Sequence, residues 1–293
     1  MKKIISNLIL LVIFILIILI IILSTIGVET NRFNNFVSKK INQTNNNINL
    51  ELNTIKFKFS VKEISLFLET DNPRIDYRNA IIPAKNIKVY IDFVSFLKTE
   101  PKIKKIYLIL NQLDVDQLKK VSSTLKPSNF TSFVNNKIKQ GKINIELEVY
   151  LDNDNLLDNF ITRGSVSNLK AEISSDINLE KTSFNFFADK TDVLIKNIFS
   201  ETGPIKIIDG DIKLDLSQEI LLESNFKTNI QYDIKSINYF KSTKYFKNIK
   251  DISNLEASLN NRFFITFDKT YKVKKYNYKS NGIIVKADLD FKE

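Results

Sequence analysis

The chain has 293 residues, with 43 lysines and arginines against 33 aspartates and glutamates, for a net charge of +10. It contains no histidine and no cysteine. That excludes Ser-His-Asp and Cys-His nucleophiles, imidazole or thiolate zinc sites, His-ligated haem and structural disulfides. Carboxylates, Lys and Tyr remain for catalysis, so composition disfavours an enzyme, and no residue set calls for a cofactor.

Leu8 to Leu23 is an unbroken run of 16 apolar residues, preceded by Lys2 and Lys3. With its near-apolar flanks, Ile4–Val28, it is about 38 Å long as a helix, against a hydrocarbon core of roughly 30 Å. Leu8, Phe14 and Leu23 mark its start, middle and end. A cleaved signal peptide has an apolar region of about 7–15 residues and a small-residue cleavage site. Here the run is longer, and Ser24-Thr25-Ile26-Gly27-Val28-Glu29 holds no Ala-x-Ala pattern. The pattern predicts a retained single-pass anchor over 1–30. Lys2 and Lys3 orient its amino end to the cytoplasm, with the body on the far side.

Phe33, Phe36, Val37 and Ile41 recur at helical spacing, so the helix is expected to continue or restart to about Gln43. The period then changes to two. Ile48, Leu50 and Leu52 alternate with polar residues, as do Ile64, Leu66 and Leu68, then Ile87, Val89 and Ile91. Each set predicts a half-buried strand. Asp71-Asn72-Pro73 signals a turn, and Asn79 begins a break before Pro83. Asp92 to Leu97 reads as a helical turn, and Ile106, Leu108 and Leu110 as the next strand. Asp114 to Leu125 predicts a helix. Ser128 caps another, with Phe130, Phe133, Val134 and Ile138 on one face.

Gly141 opens a second strand-rich stretch, which sets the expected divisions at 31–140 and 141–293. Ile143 to Val149 alternate, and Asp152-Asn153-Asp154-Asn155 supplies a turn. Strands are predicted over Val166–Ile173, Ser183–Ala188 and Val193–Phe199. Another precedes Gly210 at Ile205 and Ile207, and the next follows at Ile212, Leu214 and Leu216. Ile220–Ile230, Phe263–Phe267 and Val285–Phe291 complete the set, and Asp233–Asn248 is ambiguous. About a dozen antiparallel strands thus face three or four short helices. Their apolar faces must meet another sheet, close on themselves, or line a concavity that holds something apolar.

The lysines alternate with apolar residues, as in Lys85-Asn86-Ile87-Lys88-Val89. A solvated strand face accounts for them, and no nucleic-acid partner is expected. Asp209-Gly210-Asp211 and Asp152-Asn153-Asp154 fall where turns are expected, which outweighs a metal reading. Asp114 and Asp116 suit helix capping better than acid–base work. Phe184 and Phe186 share a face while Phe187 points the other way.

The anchor is followed by Asn72-Pro73-Arg74-Ile75-Asp76-Tyr77, Ile87-Lys88-Val89-Tyr90-Ile91-Asp92 and Phe96-Leu97-Lys98-Thr99-Glu100-Pro101-Lys102-Ile103. Next come Ile106-Tyr107-Leu108 and Leu113-Asp114-Val115-Asp116. This succession resembles the N-terminal region of the AsmA-like family, and Gly141–Ile145 and Gly164–Leu169 resemble its following strands. The resemblance implies a mainly β fold: a transmembrane helix, then a curled, mostly antiparallel β-sheet forming a repeating groove, with a few short helices. It implies an inner-membrane protein with a periplasmic body that shelters phospholipid acyl chains, and an envelope protein as a possible partner. The groove would be lined by Ile64, Leu66, Leu68, Val89, Ile91, Leu108, Phe184, Phe186, Ile212, Leu214 and Leu216. Members of the family are usually far longer. The alternative is a membrane-tethered interaction domain with a closed core and no lipid cargo. A carboxylate-dependent glycan hydrolase is weaker, since no acid pair presents itself.

Overall fold

The computed structural model describes residues 2–30, 48–78, 80–92, 102–124, 128–152, 156–174, 177–217, 219–233, 249–268 and 272–291, together with Asn34, Ser38 and Asp154. Helix α1 (Lys2–Thr25) carries the apolar run and is long and apolar enough to cross a membrane. Leu8 and Phe14 are exposed along it, while Leu23 is half-buried. Its end is well defined. Ser24 and Thr25 hydroxyls donate to the Ile21 carbonyl at 3.1 and 2.7 Å, and Gly27, at φ +76°, takes the left-handed conformation that stops a helix. The chain turns directly into strand β1 (Val28–Thr30). The helix therefore does not continue unbroken past Thr25, and the restart expected over Phe33, Phe36, Val37 and Ile41 lies outside the described residues.

The protein is mainly β, with three helices and sixteen strands among the described residues. All strand pairings described are antiparallel, and the sheet order is an open path, β1-β3-β4-β6-β7 and then β9 to β16 in sequence. The early strands are β2 (Ile48–Glu51), β3 (Ile55–Ser60), β4 (Ser65–Asp71), β5 (Arg74–Tyr77), β6 (Ala80–Ile91), β7 (Ile103–Leu110) and β8 (Leu113–Asp114). Two helices follow, named here α2 (Val115–Ser123) and α3 (Asn129–Lys137). The later strands are much longer: β9 (Ile138–Leu151), β10 (Leu157–Ser174), β11 (Ile177–Asp189), β12 (Asp192–Thr202), β13 (Ile205–Asp215), β14 (Ile220–Asp233), β15 (Ile249–Phe267) and β16 (Val273–Phe291).

The chain forms two compact units, one of residues 1–111 and 146–160, the other of residues 112–145 and 161–293. In the first, β6 changes partner along its length. Residues 80–83 pair with β5 and residues 86–91 with β4. Pro83 sits at the changeover, where its missing N–H interrupts no continuous ladder. The break expected between Asn79 and Pro83 is thus a strand from Ala80 onward. β2 and β5 form a small second ladder, and its Leu50 and Ile75 pack on Ile55, Leu68, Ile87, Val89, Ile91 and Ile103. This core is closed on both sides.

In the second unit, Asp114 caps α2. Its carboxylate accepts the Gln117 N–H at 2.8 Å, and the Gln117 side chain accepts the Asp114 N–H at 3.1 Å. Ser128 caps α3 through the Thr131 N–H at 3.1 Å. Val134 and Ile138 bury against Val115, with Phe133 and Leu169 packed alongside. Of the helical face predicted from Phe130, Phe133, Val134 and Ile138, Phe133 and Val134 pack with α2 and Leu169. Ile138 joins them as the first residue of β9, and the Phe130 side chain lies outside the described residues. Beyond this cluster, β11 to β16 make their substantial contacts with neighbouring strands. The ambiguous stretch after Asp233 and the helical turn expected at Phe93–Leu97 lie outside the described residues.

Candidate apolar strand face

Pairing in the second unit aligns side chains in rows across seven strands. Gly164 of β10 stands opposite Phe186, and the row continues through Ile195, Ile212, Ser224, Phe263 and Tyr278. Two residues along, Ala188, Val193, Leu214, Leu222, Ile265 and Tyr276 form a second row on the same side. The intervening row faces the other way and is mixed: Arg163, Phe187, Leu194, Lys213, Glu223, Phe264 and Asn277. One face is therefore apolar over five or more strands, and strand alternation is the cause.

That face is half-buried. Phe184, Phe186, Ile212, Leu214 and Leu216 all have intermediate exposure, and no described helix makes a substantial contact with β11 to β16. Two glycines shape it. A Cβ on Gly210 would run into the ring of its cross-strand partner Phe226, and one on Gly164 would meet Phe186 Cζ at 2.6 Å. Each ring lies over a neighbouring glycine, which pins the register. Phe226, Phe263 and Tyr278 form an aromatic chain with centroid spacings of 6.3 and 4.6 Å.

Polar groups on this face are paired with each other. Asn261, 9% exposed, accepts from Tyr278 and Ser280 hydroxyls at 2.9 Å each and donates to Thr228 at 2.9 Å. The Thr182 and Ser200 hydroxyls, both buried, lie 2.6 Å apart. A surface whose polar atoms are internally satisfied can receive an apolar ligand without orphaning a donor.

The predicted lining residues fall into two groups. Leu66, Leu68, Val89 and Ile91 are buried in the first unit, with Leu108 half-buried against the closed core. Phe184, Phe186, Ile212, Leu214 and Leu216 belong to the half-buried face of the second, which no described helix covers. Ile64 is on no strand. It ends the turn between β3 and β4, is 80% exposed, and has φ +47°.

Asp209-Gly210-Asp211 is not the expected turn, since β13 continues through it, with a register shift between Ile207 and Asp209. Both aspartates lie on the polar face, in a cleft of about 470 Å³ also lined by Lys227, Arg262 and Lys279. Three cations beside two carboxylates disfavour a divalent ion. Arg262 Nε donates to Asn225 at 2.9 Å. By contrast, Asp152 does form its expected turn, accepting the Asp154 and Leu156 N–H groups at 2.9 Å.

One cluster escaped the sequence reading. On the outer face of the first unit, Lys105 lies 4.3 Å from the Tyr90 ring centroid and bonds Glu63 at 2.7 Å. Phe67 stacks on Tyr90 at 5.2 Å, and Lys58 pairs with Glu69 at 2.7 Å. Burial raises the Glu69 pKa, but hydrogen bonds from Lys58 and Asn86 and the Lys88 charge outweigh it and hold the carboxyl below its ordinary value. Burial, then the Glu63, Glu148 and Glu69 charges, push Tyr90 up to about 12. Lys88 and Lys105 are only partly solvated, less than alternation alone suggests; their side chains are 28% and 14% exposed.

No family model, no curated protein and no solved structure matches the chain. The class that the fold itself defines is a mainly β protein built on one long, open antiparallel sheet, with an N-terminal helix able to span a membrane.

Proposed function

We propose that this is a membrane-anchored lipid-handling protein, in which the apolar face of the second unit receives phospholipid acyl chains. The observation that carries the reading is that face itself. Two aligned apolar rows cross several strands, half-exposed, and no described helix covers them. Burial of Tyr232, Ser224 and Thr182 with no covering layer among the described residues supports a sheet that curls over its own apolar side. Acyl chains would gain about 25 cal/mol per Å² of apolar surface removed from water. Headgroups would stay in water at the rim, so discrimination among lipids would be weak. No catalytic step is needed.

With α1 spanning the bacterial inner membrane and its amino end cytoplasmic, the body would stand in the periplasm and serve envelope biogenesis, as the AsmA-like resemblance implies. The first unit favours the second reading for its own part. Its core is filled, which suits a structural or partner-binding role there.

Transfer of a fluorescent phospholipid from donor to acceptor vesicles tests the proposal, with the full chain reconstituted in the donors. The chain should speed transfer, Leu214→Asp should abolish the gain, and Lys213→Asp should preserve it. Equal rates with and without the protein would refute lipid handling.

A further inference from the structure

We infer that the first unit makes a second contact with the bilayer, through the turns at the end of its sheet from which α1 departs. This rests on the reading that α1 spans a membrane. Only Ile26 and Gly27 separate α1 from β1, and Val28 pairs directly with Phe57 of β3. Gly27 lies so close to β3 that an added Cβ would sit 2.6 Å from Lys58 Cγ. β3 then runs three residues further, about 10 Å, against the end of α1, and Leu23 stands only about 6 Å back along the chain from Gly27. Leu23 and Ser24 are half-buried there, whereas Ile4–Ile22 are exposed. The turn after β3 is thus level with the end of the apolar run.

What that turn displays is aliphatic. Val61 is 61% exposed and Ile64 80%. A β-branched residue at φ +47° is strained backbone, rare outside functional positions. The turn is also pinned from within. Both Glu63 carboxylate oxygens accept from Lys105, at 2.7 and 2.9 Å. The Glu63 N–H donates to the Ser60 hydroxyl at 3.3 Å, leaving Val61, Lys62 and Ile64 exposed.

Antiparallel pairing brings a second turn to the same end. Leu66 pairs with Ile91, Ile91 with Ile103, and Lys105 with Tyr150, so β9 finishes beside the start of β4. The β9–β10 turn there exposes Leu156 and the next residue, Leu157, by 62% and 58%. The Asp152 carboxylate, bonded to two backbone N–H groups, fixes that turn. Four exposed aliphatics at the sheet end from which α1 departs, with Lys62 among them, fit the acyl–headgroup boundary. A lipid surface is the occupant because α1 delivers this end of the sheet to one.

The chain lacks cysteine, so a single NBD label can be placed by Ile64→Cys, Leu156→Cys, Leu16→Cys or Asn111→Cys in the full chain. Each is reconstituted in phosphatidylcholine–phosphatidylglycerol vesicles, with and without spin-labelled lipid. Quenching should be strong at Leu16, partial at Ile64 and Leu156, and absent at Asn111, at the opposite end of β7. Quenching at Leu16 with Ile64 and Leu156 matching Asn111 would overturn the inference and leave the span intact. No quenching at Leu16 would overturn the span and the inference together. Ile64→Gly, which relieves the backbone while removing the side chain, should lower quenching at a Leu156 label. Unchanged quenching there, with unchanged circular dichroism, would count against a shared membrane contact.

Discussion

The two units answer the same problem in different ways. Both are built from strands with one apolar face. In the first unit, β2 and β5 bring Leu50 and Ile75 down onto Val89 and Ile91, and the core is closed. In the second, the equivalent face, with Ile212, Leu214 and Leu222 in register, has no described second layer. Alternation therefore makes a half-apolar sheet but does not decide what covers it. Cover depends on whether a short ladder is spared to fold back. The first unit spends four-residue strands on that task, while the second extends its strands to as many as 19 residues in a single layer.

The largest expected difference is to a buried charge. Ile91→Asp, at a site 2% exposed, should cost about 4 kcal/mol or more and unfold the first unit. Leu214→Asp on the half-buried face should cost less than about 2 kcal/mol. Urea unfolding followed by hydrogen exchange separates the two, and equal losses would break the contrast. Truncation sharpens it further: Leu68→Ala should lose about 2–5 kcal/mol, Ile212→Ala roughly half of that.

Gly210→Ala probes the second unit's own packing. The new methyl meets the Phe226 ring, so a loss of about 1–3 kcal/mol is expected. The loss should shrink in a Phe226→Ala background if the contact is the cause. A full loss in both backgrounds would place the strain elsewhere.

The smallest effect is on pH. Glu69 has a folded pKa below its ordinary value, so its stabilisation is present above that ordinary value and fades as pH falls through the folded one. Tyr90 is shifted the other way. Its contribution is complete below the ordinary tyrosine value and is lost as pH rises through about 12. Glu69→Gln should flatten the acid limb of first-unit stability, and Tyr90→Phe the alkaline limb. Thermal melts across pH would show this, and unaltered limbs would remove the ionic–aromatic layer from the account.

Much of the fold is legible in the sequence because it rests on local signals. The apolar N-terminal helix, both helix caps and the Asp71-Asn72-Pro73 and Asp152 turns each depend on residues within a few positions. Other features depend on partners far along the chain. Ile64 keeps the two-residue rhythm of Leu66 and Leu68, yet it sits in a left-handed turn that a β-branched residue rarely enters. Asp209-Gly210-Asp211 has the composition of a turn, but Gly210 is there to clear Phe226 of the next strand. Pro83 reads as a break until β6 is seen to exchange partners there. Lys88 and Lys105 read as solvated because the rings and carboxylates that enclose them come from other strands or, for Glu63, from the β3–β4 turn. For the candidate site, the alternation of Leu214 and of Val89 is indistinguishable in sequence. Only pairing and cover separate a half-exposed face from a core.

The most direct test replaces Leu214 and its neighbour Lys213, in turn, with photoreactive benzoylphenylalanine in the full chain within membranes. The two positions are adjacent in β13 and face opposite ways. Irradiation should yield phospholipid adducts at Leu214 and few or none at Lys213, read by mass spectrometry. Equal labelling at both, or none at Leu214, would contradict an acyl-chain face on the second unit.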